Sequence, residues 1–167
     1  MTSLYNIPAH KNSPHIVYAV IEIPKGTSAK YEYDPALEAF VYDRSLLSAM
    51  SYPASYGFIP NTLAEDGDAL DILIYNATPI ERGTIVECKV LGVLDMVDEG
   101  QKDYKIIGVP TSHVRKYETM QDLDPLFLKV CKNFFVHYKD LNNKHVDVFG
   151  WHGTNLAKQI IGLSQKE

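Results

Sequence analysis

The sequence predicts an α+β fold in which short strands build an antiparallel barrel and two helices come late. Three observations carry this. From His15 to Pro110 the chain alternates runs rich in Val, Ile, Tyr and Phe with turns marked by Gly, Pro and Asp. Two later stretches instead show apolar residues at helical spacing. No linker, internal repeat or low-complexity tract divides the 167 residues, so one domain over residues 1–167 is expected, long enough for a real core.

The elements follow in order. Residues 1–13 are polar, carry Pro8 and show no period, which reads as an N-terminal arm. His10 and His15 read as surface groups rather than ligands. Ile16–Pro24 is a strand whose oddity is Glu22, a carboxylate between two isoleucines; strand alternation would let it face outward. After a Pro24–Ser28 turn, Lys30–Asp34 alternates, with Lys30 and Glu32 on one face and Tyr31 and Tyr33 on the other. Ala39–Arg44 returns as its hairpin partner. Lys30 and Arg44 read either as an anion pocket or as a cross-strand surface pair of little worth to stability. Residues 50–60 hold two prolines and a glycine, which excludes a helix and suggests an irregular aromatic segment around Tyr52 and Tyr56. Ile72–Tyr75 is a strand. Thr84–Val97 is a long one, with a bend expected at Gly92. Ile106–Pro110 is another strand, and the intervening tip carries Asp98, Glu99, Asp103 and Lys105. Asp124-Pro125 opens a helix, with Asp as cap and Pro in the first turn. Its apolar residues form two rows, Leu126, Val130, Phe134 and Tyr138 beside Phe127, Cys131 and Phe135. A closing strand at 145–151 and a helix at 154–165 complete the chain.

Bulk properties narrow the function. The net charge is −5 with no run of like charges, which argues against a binder that relies on general attraction to nucleic acid. No apolar run could span a bilayer and no leader pattern stands at the N-terminus. Cys88 and Cys131 lie far apart in apolar contexts and read as buried thiols in a reducing compartment, so a cytoplasmic location is expected.

The chemistry concentrates in Glu65-Asp66-Gly67-Asp68-Ala69-Leu70-Asp71, which runs straight into a strand. Asp66 and Asp68 would project to one side of an extended chain. Like charges ~4 Å apart repel by roughly 4 kcal/mol at an effective dielectric near 20, so convergence requires a cation, and Mg²⁺ or Mn²⁺ suits oxygen donors. Asp-Gly is equally a plain turn signal. A calcium loop of the EF-hand type is excluded, since Asp71 stands at the sixth position where glycine is needed and Ala77 at the twelfth where glutamate is needed. Around this stretch, carboxylates recur at strand ends (Glu22, Glu32, Asp98, Asp103) with Lys30, Arg44, Lys105 and Lys139 nearby and Tyr52, Tyr56 and Tyr138 among them. No serine, histidine or cysteine nucleophile has a motif, and no Gly-rich phosphate loop exists. Such an inventory suits a polyanion held through metal ions and attacked by water.

Over roughly residues 14–151 the chain resembles the soluble family I inorganic pyrophosphatases of the bacterial type. Asp66-Gly67-Asp68-Ala69-Leu70-Asp71 is similar to that family's D-G-D-P-x-D signature, with Ala69 where proline is common. Lys30-Tyr31-Glu32, Asp43-Arg44, Tyr52-Pro53, Tyr56-Gly57, Asp98-Glu99, Asp103-x-Lys105 and His137-Tyr138-Lys139-Asp140 follow in the family's order. Ser51 and Asp95 depart from it, outside the ligand set. The resemblance implies an OB-like five-stranded barrel flanked by helices, and Mg²⁺-dependent hydrolysis of pyrophosphate to two orthophosphates. It implies that Asp66, Asp71 and Asp103 hold the tighter metal positions, with Asp98, Glu22 and Glu32 serving ions that arrive with substrate. Asp68 would accept the proton of the attacking water. Lys30, Arg44, Tyr56, Lys105, Tyr138 and Lys139 would contact phosphate, and Tyr52 would shape the pocket. It also implies a homo-oligomer, typically a hexamer. Two other readings are an OB-type module for single-stranded nucleic acid, which the acidic strand ends oppose, and a hydrolase of another phosphoanhydride, for which no base-recognition motif is visible.

Overall fold

The computed structural model describes residues 3–113 and 116–166; residues 1 and 2 of the expected arm lie outside these. The strands are β1 (Ile16–Ile23), β2 (Ala29–Asp34), β3 (Ala39–Ser45), β4 (Ser55–Phe58), β5 (Asp71–Ile74), β6 (Ile85–Asp98), β7 (Gln101–Lys102), β8 (Lys105–Pro110) and β9 (Val146–Gly153). The helices are α1 (Pro125–His137) and α2 (Thr154–Ser164).

The long strand β6 is the spine. It pairs with β1 along its first half, with β8 along its middle, and with β9 and the short β7 toward its end. β1 also pairs with β4, β4 with β5, and β5 with β8, so β1, β4, β5, β8 and β6 close into the expected five-stranded ring. Four of its seams are antiparallel. The fifth, β5 with β8, is parallel, because the chain crosses the ring through β6 between them. The expected bend at Gly92 is present as a shift of register between Val90 and Gly92. A side chain at Gly92 would meet the His152 carbonyl oxygen at 2.5 Å, so only glycine lets β9 approach there.

Two expectations are corrected. The aromatic segment 50–60 is not wholly irregular: Ser55–Phe58 is β4, buried at every position and therefore without the alternation that marks a half-exposed strand. His10 is not a surface group. It is buried, with Nε2 3.1 Å from Glu87 Oε2 and its ring edge-on to Tyr18.

The ring interior is filled by Val17, Ala19, Ile21, Ile72, Ile74, Val90, Val93 and Ile106, closed by Ala157 and Ile161 of α2. A second apolar layer lies under α1, where Phe134 and Phe135 meet Tyr52, Tyr56, Leu73, Leu94 and Met96. Asp124 caps α1 by accepting from the Leu126 amide at 2.9 Å, as its sequence position suggests. Only one of the two apolar rows on α1 is wholly inward. Cys131, Phe134, Phe135 and Tyr138 are buried, whereas Leu126 and Val130 face outward, 64% and 46% exposed. The hairpin β2–β3 stands apart as a two-stranded sheet. Tyr33 fastens one end of it to the apolar cluster of Val20 and Phe58. The amide of Tyr33 also donates to Glu22 Oε1 at 2.8 Å.

Candidate active site

One cleft of about 830 Å³ lies between the β2–β3 hairpin, the acidic turn 65–69, the β6–β8 tip and the end of α1. All fourteen side chains singled out in the sequence line it: Glu22, Lys30, Glu32, Arg44, Tyr52, Tyr56, Asp66, Asp68, Asp71, Asp98, Asp103, Lys105, Tyr138 and Lys139. They come from eight separate segments, and the ring geometry is what gathers them.

The acidic turn is not extended. Gly67 takes φ +90°, a left-handed conformation suited to glycine, and the Asp68 amide donates to Asp66 Oδ1 at 3.1 Å. So the stretch is a turn, as Asp-Gly signals, and its carboxylates also line the cleft. Asp66 and Asp68 remain exposed, and neither is paired with a cation among the described residues. Partial burial, then Asp66 and Glu32, push the Asp68 pKa upward.

The opposite wall is neutralised from within. Lys105 is buried, and its Nζ lies 2.6 Å from Asp71 Oδ2, 2.6 Å from Asp103 Oδ1 and 3.0 Å from the Tyr56 hydroxyl. Burial works against its charge, but Asp71, Tyr56 and Asp103 outweigh it and hold its pKa well above the ordinary lysine value. Asp103 is raised, by burial first. Asp98 Oδ2 takes Lys139 Nζ and the Tyr138 hydroxyl, the latter at 3.1 Å. Its other oxygen, Oδ1, is buried with no partner. Burial holds Tyr56 and Tyr138 well above the usual phenol range, so both stay protonated donors. Glu22 is deeply buried, and desolvation lifts it to about 8.

Sequence reasoning gave no site role to several acidic and aromatic members. Asp34, Asp43, Tyr31 and Tyr42 also line the cleft, and Asp43 lies 3.3 Å from Lys30 and 3.6 Å from Arg44. Alternation separates Asp43 from Arg44, but the β2–β3 register shifts between Lys30 and Tyr31, so alternation is no guide there. The arm contributes Tyr5, whose ring packs edge-on against Tyr33 and Phe58 at the cleft floor. A lone aromatic in a polar arm gave no signal of this.

The cleft therefore holds nine carboxylates (Glu22, Glu32, Asp34, Asp43, Asp66, Asp68, Asp71, Asp98, Asp103) against four cations (Lys30, Arg44, Lys105, Lys139). With every group ionised this is an excess of five negative charges, and of four with Glu22 neutral. No three ligating groups among the described residues already form a closed shell. Mg²⁺ does not need one, since it keeps several waters and binds through one or two carboxylates plus phosphate oxygens. The all-oxygen donor set, its surplus charge and the unpartnered buried Asp98 Oδ1 all fit such an ion.

A closed five-stranded ring with an acidic, cation-studded cleft on its flank defines a class of protein whose cleft suits an anion held together with metal ions. Comparison with known proteins narrows this. The family model described as inorganic pyrophosphatase matches residues 19–167. The chain is 44% identical over 148 residues to the inorganic pyrophosphatase of Geobacillus stearothermophilus, covering 87% of this chain and 90% of that one. It is 42% identical to that of Escherichia coli (strain K12), covering 97% and 96%. The crystal structure of inorganic pyrophosphatase from Thermus thermophilus superposes with a TM-score of 0.92 at 39% identity, covering 97% and 96%. The chain belongs to the inorganic pyrophosphatase family.

Proposed function

We propose that this chain hydrolyses inorganic pyrophosphate to two orthophosphates with Mg²⁺ bound, Mn²⁺ or other divalent ions substituting. The observation that supports this most is the convergence of nine carboxylates, four cations and the tyrosine hydroxyls of Tyr56 and Tyr138 on one cleft. Asp66, Asp71 and Asp103 would hold ions in the tighter positions. Asp98, Glu22 and Glu32 would serve those that enter with the substrate. Lys105 engages one oxygen of Asp71 and one of Asp103, which leaves each carboxylate a second oxygen. Once bound, the ions supply charge neutralisation and a lowered pKa for the attacking water.

The chain's own groups do the rest. Lys30, Arg44, Lys105 and Lys139 carry the charge of the phosphate oxygens, and Tyr56 and Tyr138 donate hydrogen bonds to them. Tyr52, packed on Phe134, fixes the floor. Asp68 accepts the proton of the water at a carboxylate oxygen; its raised pKa makes it a better base than an ordinary aspartate. No covalent intermediate is needed.

The exposed apolar Leu126, Val130 and Phe149 support a homo-oligomer, for which a hexamer is the expectation and light scattering the check. No helix among the described residues is long and apolar enough to cross a membrane, and the cytoplasm is the proposed location. The test of function is orthophosphate release from pyrophosphate with Mg²⁺. Release that disappears with EDTA is expected; none from folded protein would refute the activity. Poor turnover of ATP under the same conditions would set pyrophosphate apart from other phosphoanhydrides.

A further inference from the structure

The β2–β3 hairpin carries a whole wall of the cleft, yet it hydrogen-bonds as a sheet to nothing but itself. Its base is fastened by backbone bonds, Gly26 to Tyr52 at 2.8 Å, Tyr52 to Thr27 at 2.9 Å and Leu46 to Ser28 at 2.8 Å. Its far end is fastened by Tyr33 in the apolar cluster. Between these lies the stretch that bears Lys30, Glu32, Asp43 and Arg44, with a register shift in it. A side chain from outside the cleft reaches this stretch. The Arg82 guanidinium stacks on the Tyr31 ring, 3.3 Å from its centroid, and Arg82 Nε donates to the Glu22 carbonyl at 2.7 Å. Arg82 is itself held, because its turn is bonded to β1 through Gly83 N to Ile21 O at 2.8 Å and Ile21 N to Thr84 O at 3.0 Å. Tyr31 in turn packs edge-on against Tyr42 of β3, so both strands are reached.

We propose that Arg82 is a positioning residue: by bridging β1 and Tyr31 it sets where the hairpin holds Lys30 and Arg44 over the cleft, and so sets the affinity for the anionic substrate. The inference rests on the proposed activity for its kinetic consequence but not for its structural one. Among the described residues, the only hydrogen bond of the Arg82 side chain to a residue proposed to do chemistry is to the Glu22 backbone. Its loss should therefore weaken binding and leave the chemical step nearly intact.

Arg82→Ala should raise KM for pyrophosphate about tenfold with kcat within about twofold, of the order a stacked cation and one hydrogen bond supply. Tyr31→Leu should do the same, and the double variant should be no worse than either alone. Arg82→Lys should recover part of KM, since an ammonium can sit on the ring but lacks the planar fork. Amide hydrogen exchange, which needs no activity, should quicken over residues 29–45 in Arg82→Ala while β1, β5 and β8 keep their protection. Unchanged KM, additive effects, or unchanged exchange over 29–45 would each overturn the proposal. If the parent protein itself released no orthophosphate, the activity reading would fall, and the exchange measurement would still decide the role of Arg82.

Discussion

The two acidic regions of the cleft are built on opposite plans. In the turn at 65–69, Asp66 and Asp68 are exposed, and the carboxylate of Asp66 accepts only the Asp68 amide. On the facing wall, Asp98 and Asp103 of the tip and Asp71 at the start of β5 are largely buried and already share Lys105 and Lys139. Burial explains the difference. A carboxyl in the interior must meet a cation or, like Glu22, stay protonated when the chain folds, whereas one in water can wait for a mobile ion. That wall is thus part of what the fold requires, and the turn is free to serve what binds.

Four predictions test that contrast. The largest effect is expected at the turn. Asp68→Asn should lower kcat for pyrophosphate by about 10²–10⁴-fold, the usual worth of a positioned base, while melting and Mg²⁺ binding stay near the parent values. Equal turnover would remove Asp68 from its role. Next comes Lys105→Met, which leaves buried carboxylates unpaired and should cost about 3–5 kcal/mol of metal-free stability in denaturant melts. The same melt on Asp66→Asn should move by less than about 0.5 kcal/mol. Comparable losses at both would erase the distinction between the two regions.

Metal addition should then bring out the turn. At about a hundred times its Kd, Mg²⁺ should stabilise the parent protein by about 2.7 kcal/mol, and Asp66→Asn should lose much of that gain. An undiminished shift in the melting temperature of that variant would place the ion elsewhere. The last effect concerns pH. Glu22, lifted to about 8 by burial, stays protonated in the folded chain after the unfolded chain has ionised at about 4.5. Stability from this group is complete below that lower value and is lost as pH rises toward 8. With EDTA present, Glu22→Gln should therefore match the parent near pH 4.5 and exceed it by about 4 kcal/mol near pH 8. A gap that shrinks with rising pH would show that Glu22 is not held neutral.

Strands with one wet face were easy to read, as β2 and β3 were, and so was α1 from its cap and apolar spacing. β4 was not, because Ser55–Phe58 is buried on both faces and flanked by prolines, which hides the period. The outward Leu126 and Val130 were misplaced because helical spacing defines a stripe but not its width. Among the cleft residues, those with a charge out of place in a strand, such as Glu22, could be suspected from the residues alone. Tyr5 and Arg82 could not, since nothing local marks a tyrosine in an arm or an arginine in a turn.

By itself the sequence determined the kinds of groups available: a surplus of oxygen donors, a few cations, protonated tyrosines, and the short strands to carry them. Residue type and local period are properties of neighbouring positions, so one chain is enough to read them. The tertiary structure alone decided which acids are paired, where Lys105 sits, that Asp98 keeps an oxygen without a partner, and how the hairpin is held over the cleft. Those facts depend on contacts between segments far apart in the chain, which exist only once the ring has closed.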